Sequence, residues 1–527
     1  MTYVLLLLAV AGLAGAQPVS FERLLKADSE PGNWLMYSGN YASHRFSKLD
    51  QITSANVQRL KPKWMLQMRT THKVEGTPLV VDGIMYMTRP PNDVLAIDAE
   101  TGRRLWSYSY KVPPKVYPCC GQLNRGVAIL GGRLFMATLD AKLVALDARS
   151  GKELWKVELA EYTHGYAATH APLVVKDKVI VGVAGGEYGI RGFIDAYYAA
   201  TGERAWRFYT IPGPGEANFG TWEGDSWKTG GSSIWVTGAY DPELNLTYWG
   251  TGNPGPDWNG DNRGGDNLYA DCAVALDADT GKLKWYFQFT PHDVHDWDAV
   301  QVPVLADQTF RGQKRKLMLW ANRNGFFYVL DRTNGEYLLG KPYVKVTWAK
   351  QELDAKGRPV RLPDTFPTRE GVAVWPGVTG GQNWFSPSYS PLTGFYYVAA
   401  QEQGNLYFKA DADYKAGTSF TGGGGNGIPG DPGYGAIRAI VPETGAIQWE
   451  HRLVTPPWAG VMATAGNLVF GGTEEGNFFA LDARTGKHLW HFPAGGRVVA
   501  NPISYLAGGK QYVAIPAGDV LMAFGLE

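Results

Sequence analysis

One eleven-residue pattern recurs along the chain and constrains its architecture more than any other feature: two apolar positions, Asp-Ala, a variable residue, Thr or Ser, Gly, three variable positions and Trp. Full copies run from Ala96 to Trp106, Ala145 to Trp155, Ala275 to Trp285 and Ala480 to Trp490. Degenerate copies run from Ala196 to Trp206, Val329 to Leu339 and Ala439 to Trp449. The glycines recur irregularly, around the ~40–50 residues of a propeller blade, and inserted loops account for the longer gaps. Within the first unit, strand-type alternation covers Thr77–Val81, Ile84–Met87, Val94–Ile97 and Leu105–Tyr108, with turns at Asp82-Gly83 and Thr101-Gly102. That is one four-stranded antiparallel blade. After Trp490 the segment Val498–Phe524 offers three strands and no fourth, whereas Leu60–Trp64 precedes the first full unit as a lone strand ending in Trp. Pairing the two closes a ring without an open edge. The expectation is an all-β, eight-bladed β-propeller of four-stranded antiparallel blades, closed by its N- and C-terminal strands.

Charge and motif content exclude several functions. The 50 basic and 50 acidic residues balance, so no basic field draws in nucleic acid. No Gly-x-Gly-x-x-Gly follows a strand and opens a helix, and the run Gly422–Gly425 lacks the Lys and helix of a phosphate-binding loop. It reads as a flexible insert. The apolar run Tyr3–Ala16 is shorter than the ~20 residues that span a bilayer. It ends in Ala14-Gly15-Ala16, so residues 1–16 read as a signal peptide, with a single propeller domain over 17–527 and export to a periplasm. No transmembrane anchor is expected. The repeated Trp residues read as packing between blades.

Two groups of residues could carry chemistry. Cys119 and Cys120 are adjacent; they are either two reduced thiols or an eight-membered disulfide ring, and export together with the neighbours Pro118, Gly121 and Arg125 favours the ring. Cys272 reads as a small core residue. Glu187 in Ala184-Gly185-Gly186-Glu187, Asn253 in Gly252-Asn253-Pro254, and Asp296 and Asp298 in His295-Asp296-Trp297-Asp298 offer carboxylate and amide oxygens suited to a hard cation. In an extended segment the two aspartates would point to one side. His292 and His295 are loop hydrogen-bonding residues, with a zinc pair as the alternative.

The blade repeat, Val74-Glu75-Gly76, Cys119-Cys120 with Asn124-Arg125-Gly126, Thr221–Asp225, Gly252-Asn253-Pro254 and Pro291-His292-Asp293 together resemble the quinoprotein alcohol dehydrogenases that use pyrroloquinoline quinone. The likeness runs from about Trp34 to the C-terminus. It implies a quinone held in a central cavity between the Cys119-Cys120 disulfide and Trp235. It implies further that Glu75, Arg125, Thr169 and Ser233 hydrogen-bond the quinone, that Gly185 and Gly186 border it, and that Asn383 and Trp458 line the same cavity. Ala184 and Ser233 depart from the more usual Ser and Thr of the family. Asp298 beside Asp296 resembles the lanthanide-dependent members, so a lanthanide(III) ion is the favoured metal and Ca2+ the alternative.

Asp296 then suits the role of proton acceptor and Arg323 that of stabilising charge on a quinone oxygen. The expected activity is oxidation of a small primary alcohol. No Cys-x-x-Cys-His follows, so electrons would pass to a separate, soluble cytochrome c. The rival reading is a non-catalytic propeller scaffold. A scaffold has no reason to keep Glu187, Asn253, Asp296 and Arg323 together.

Overall fold

The computed structural model describes residues 18–116 and 118–527; the expected signal segment, residues 1–16, lies outside the described residues. Seven four-stranded antiparallel sheets, and an eighth extended by the short parallel strand Phe46–Ser47, make up the propeller. Blade 1 comprises Leu79–Val81, Ile84–Arg89, Asp93–Asp98 and Arg104–Tyr108. Blades 2 to 7 begin at Ala128, Leu173, Ala239, Val304, Ser388 and Met462. Blade 8 joins Ile503–Ala507, Lys510–Ala517 and Val520–Leu526 to the strand Leu60–Gln67, which pairs antiparallel with the last of them. The expected closure is therefore present, with Trp64 opposite Ala523.

The repeated pattern explains how neighbouring blades adhere. Asp98 Oδ1 accepts the backbone N–H groups of Glu100 and Thr101, which turns the chain, and Gly102 takes a left-handed φ of 75°. A Cβ on Gly102 would stand 2.7 Å from the Trp64 indole of the preceding blade, and one on Gly151 would stand 2.5 Å from Trp106. The same contact joins Gly202 to Trp155, Gly281 to Trp206, Gly335 to Trp285 and Gly486 to Trp449. Each of these indoles also donates to the backbone of the next blade: Trp64 to Ala99, Trp106 to Ala148, Trp155 to Ala199, Trp206 to Ala278, Trp285 to Arg332 and Trp449 to Ala483. The one copy that ends in Leu339 has no indole to donate, and Gly445 packs on that leucine instead. Gly151→Ala therefore meets both a strained φ of 72° and the Trp106 ring. We expect it to cost about 3 kcal/mol, read as a lowered thermal midpoint, whereas Gly83→Ala, with nothing within 4 Å, costs only the strain.

Blade geometry also fixes where function can sit. In an antiparallel blade, the segment entering the first strand and the segment leaving the second lie at the same end. Glu75, Arg125, Thr169, Trp235, Asp298, Asn383 and Trp458 each stand just before the first strand of blades 1 to 7 in turn. Glu187, Asn253 and Arg323 stand just after the second strands of blades 3, 4 and 5. All of them are thereby delivered to one face of the ring.

One expectation fails here. The run Gly422–Gly425 does not lie in a flexible insert: Gly423–Gly427 is a strand paired with Asn405–Lys409, which pairs in turn with Val372–Val374. The glycines serve close approach, since a Cβ on Gly425 would meet Val378 at 2.4 Å and one on Gly423 the Phe408 carbonyl at 2.2 Å.

Candidate active site where the blades converge

These entry and exit segments enclose a cavity of about 190 Å³. Its lining includes Glu75, Cys119, Cys120, Arg125, Thr169, Gly185, Glu187, Ser233, Trp235, Asp296, Asp298, Arg323, Asn383 and Trp458. Two residues expected at the site stand behind that lining. A Cβ on Gly186 would lie 3.5 Å from Ser233 Oγ and 4.0 Å from Asn253 Oδ1, and Asn253 is packed against Asp298.

One wall is cationic and aromatic. Arg125 is 4% exposed; its Nη2 lies 2.9 Å from Glu75 Oε2 and its Nη1 donates to Thr169 Oγ1 at 3.0 Å. The guanidinium sits between two indoles, 5.0 Å from the Trp235 ring and 4.6 Å from that of Trp384. Trp458 Nε1 donates to Glu75 Oε1 at 3.3 Å. Burial raises the Glu75 carboxyl above its usual range, against the pull of Arg125. This wall presents donors to an anionic ligand while the indole faces stay apolar.

The adjoining part of the lining is acidic. Arg323 Nη1 donates to Asp298 Oδ2 at 2.5 Å, its Nη2 donates to the Val378 carbonyl at 2.5 Å, and the same nitrogen lies 3.6 Å from Asp296 Oδ1. Asp298 Oδ1 accepts the backbone N–H of Asn253 at 3.0 Å. Burial pushes Asp296 well above the carboxylate range; Arg323 opposes this, while Asp298, Asp257 and Glu187 reinforce it. Burial likewise raises Glu187, with Asp298 adding to the shift, and raises Asp298, with Arg323 opposing. Burial disfavours the charge of Arg323, yet Asp296 and Asp298 raise its pKa. A single guanidinium thus faces more carboxylate charge than it offsets. The donors on this side are oxygens, the ligand type that suits a hard, multivalent cation.

The sulfurs of Cys119 and Cys120 are bonded to each other and approach Glu187, all three ligand atoms lying within 4.8 Å. Sulfurs joined to one another are not thiolate ligands, so this closeness places the pair beside Glu187 without making a soft-metal site. Cys272 is free and buried in the core, as expected.

The two aspartates share the cavity for a reason other than strand alternation. Asp296 has a left-handed φ of 59°, so the segment is kinked rather than extended. Asp293 makes the kink, its carboxylate accepting the N–H groups of His295 at 3.0 Å and Trp297 at 2.8 Å. The histidines belong to the framework: His295 Nε2 pairs with the Thr365 carbonyl at 2.9 Å with its ring stacked on Trp297, and His292 Nδ1 pairs with the Gly265 carbonyl at 2.9 Å. Among the described residues, neither joins a group of metal-ligating atoms.

Several lining residues escaped the sequence reading, among them Lys73, Tyr188, Val378 and Trp384. Trp384 carried a signal, since it follows Asn383 in the entry segment of blade 6. Lys73, 5.6 Å above the Trp458 ring, carried none.

Comparison with known proteins agrees with the propeller fold. The family described as "PQQ: Glucose/ethanol/alcohol dehydrogenase, beta-propeller domain" matches residues 34–352 and 429–513. The quinoprotein alcohol dehydrogenase PedH of Pseudomonas putida is 40% identical, over 97% of this chain and 91% of its own. A lanthanide-dependent methanol dehydrogenase of Methylacidiphilum fumariolicum is 39% identical, over 97% of this chain and 89% of its own. Among solved structures, a europium-containing methanol dehydrogenase superposes with a TM-score of 0.91 at 37% identity, covering 96% of this chain and all of that one.

Proposed function

The chain belongs to the pyrroloquinoline quinone-dependent alcohol dehydrogenases, and from that premise we propose how its own residues divide the work. It is a catalytic, quinone-dependent alcohol dehydrogenase of β-propeller fold. The observation that carries the assignment of residues is the convergence, in one cavity lining, of the Arg125–Trp235 cluster and the Glu187, Asp296 and Asp298 carboxylates.

Glu75, Arg125, Thr169 and Ser233 would hold the quinone's polar rim, with Trp235 and the Cys119-Cys120 ring against its two faces. Glu187, Asn253, Asp296 and Asp298 would hold the cation, for which we favour a lanthanide(III) ion over Ca2+. When bound, the quinone supplies a hydride acceptor and the cation a Lewis acid. Asp296 would take the alcohol proton on a carboxylate oxygen, and Arg323 Nη2, 3.6 Å away, favours the charged carboxylate against the pull of burial. Trp458 and Asn383 close the lining around the alcohol. Gly185, with φ 116° and a Cβ position only 2.1 Å from the Gly165 carbonyl, admits no side chain and so keeps the Glu187 turn tight against the pocket.

Relatives that are quinohemoproteins carry their own acceptor, which supports a cytochrome partner here. We propose a separate, soluble cytochrome c and a periplasmic site of action. No helix among the described residues is long and apolar enough to cross a membrane.

The test is reconstitution with pyrroloquinoline quinone and either La3+ or Ca2+, followed by alcohol-dependent dye reduction. Turnover of primary alcohols is expected; no bound quinone and no turnover across an alcohol panel would sink the assignment. We also expect alkylation without reductant, read by mass spectrometry, to leave Cys119 and Cys120 unmodified. Two freely alkylated cysteines in active enzyme would refute the role of the ring.

A further inference from the structure

One buried carboxylate beside the acidic wall has no place in the division of work above. Asp257 follows Asn253 by four residues in Asn253-Pro254-Gly255-Pro256-Asp257 and is 1% exposed, but it does not line the cavity. Its Oδ1 accepts an N–H from Asn253 Nδ2 at 2.9 Å, while its Oδ2 has no hydrogen-bond partner among the described residues. The Asn253 amide nitrogen also reaches the Pro254 carbonyl at 3.4 Å, so both acceptors near it select the same orientation of the carboxamide. That orientation leaves Asn253 Oδ1 on the side of Gly186, the neighbour of Glu187. Of the two guanidiniums nearby, Arg263 is engaged with Asn267 Oδ1 and with the Pro256 and Asp293 carbonyls, and Arg323 with Asp298 and the Val378 carbonyl.

From this arrangement we infer that Asp257 is a positioning residue for the cation: it turns the Asn253 carbonyl oxygen toward the site and adds a carboxylate charge that favours a trivalent over a divalent ion. Two physical effects are involved. Without an acceptor at Asp257 Oδ1, the carboxamide loses the stronger of the two bonds that hold its nitrogen away from the cation, and a flipped amide presents N–H donors where a donor oxygen is needed. Burial pushes the Asp257 carboxyl up and Arg263 opposes this, so a cation bound nearby would draw it into its charged form. That charge acts over several ångströms in proportion to the charge of the ion, which helps a trivalent cation more than a divalent one. The inference rests on the cation site of the preceding subsection.

The experiment measures binding of terbium(III) and of calcium by equilibrium dialysis, on quinone-loaded protein, for wild type, Asp257→Asn and Asp257→Ala. Asp257→Asn keeps the shape and an acceptor oxygen but not the charge; Asp257→Ala removes both. We expect Asp257→Asn to keep its calcium affinity within about twofold while its preference for terbium over calcium falls by roughly tenfold. Asp257→Ala should weaken both ions by at least about tenfold. Thermal midpoints and circular dichroism verify that the variants are folded. Wild-type affinities for both ions in both folded variants would overturn the role of Asp257 while leaving the cation site standing. Equal loss of both ions in Asp257→Asn would overturn the charge effect. A wild-type protein that takes up neither ion would overturn the cation site and this inference together.

Discussion

Asp296→Asn is expected to lower kcat by about a thousandfold while leaving the propeller folded. The substitution is nearly isosteric and keeps an oxygen facing Arg323 Nη2, which lies 3.6 Å from the native carboxylate. It removes the group able to take a proton. The carboxylate proposed for this work stands in an unusual place: burial raises it, the neighbouring acids raise it further, and Arg323 holds it back. A multivalent cation bound beside it would restore the charged form, and the proposed base and cation site would then be coupled. The variant should therefore also bind the metal less tightly, and metal content measured beside kcat separates the two losses. Excess lanthanide will then restore occupancy without restoring turnover. A variant within tenfold of wild type at full metal occupancy would remove Asp296 from proton transfer.

The ring was legible because its packing is written in periodic positions, whereas the quinone-facing residues of the candidate site lie outside the repeat and were legible only through the resemblance to a known family. The Asp-Ala-x-Thr-Gly-x-x-x-Trp unit encodes a turn, a left-handed glycine and an indole that docks on the neighbouring glycine, all of them local or next-blade contacts. The chain ends were legible because an unpaired strand must find an edge, and Leu60–Gln67 does so on Val520–Leu526. Less visible was whatever depends on loop geometry. Asp296 and Asp298 fell to the same cavity, but through the kink that Asp293 makes rather than through alternation. The glycine run at 422–425 has no side-chain pattern from which to read a strand, and its pairing depends on Asn405–Lys409 being delivered beside it. Lys73 reaches the lining only because Trp458, far away in sequence, lies beneath it.

A lanthanide should support turnover at least about tenfold better than calcium, and Asp298 should be the residue on which that preference most depends. Calcium and the lanthanides share size and a taste for oxygen, so the ligand types alone do not separate them. Charge does. Asp298 is 6% exposed and already accepts from Arg323 Nη1 on Oδ2, from the Asn253 N–H on Oδ1 and from the Trp235 side chain. A carboxylate has lone-pair sites for about four partners, so these bonds orient it without exhausting it. The guanidinium alone leaves Asp296, Glu187 and Asp257 reinforcing one another, a repulsion that a trivalent ion relieves more fully than a divalent one. Asp298→Ala should lose lanthanide-supported activity by about a hundredfold or more, but it also strips Arg323 of its buried partner, which by itself destabilises by about 3–5 kcal/mol. Asp298→Asn is the cleaner variant, because it keeps the volume and an acceptor for Arg323 while removing the charge. It should fold like wild type, lose most of its lanthanide-supported turnover and lose far less of whatever calcium supports. Equal wild-type activity with either ion, or a folded Asp298→Asn enzyme as active with lanthanum as the native one, would overturn the preference.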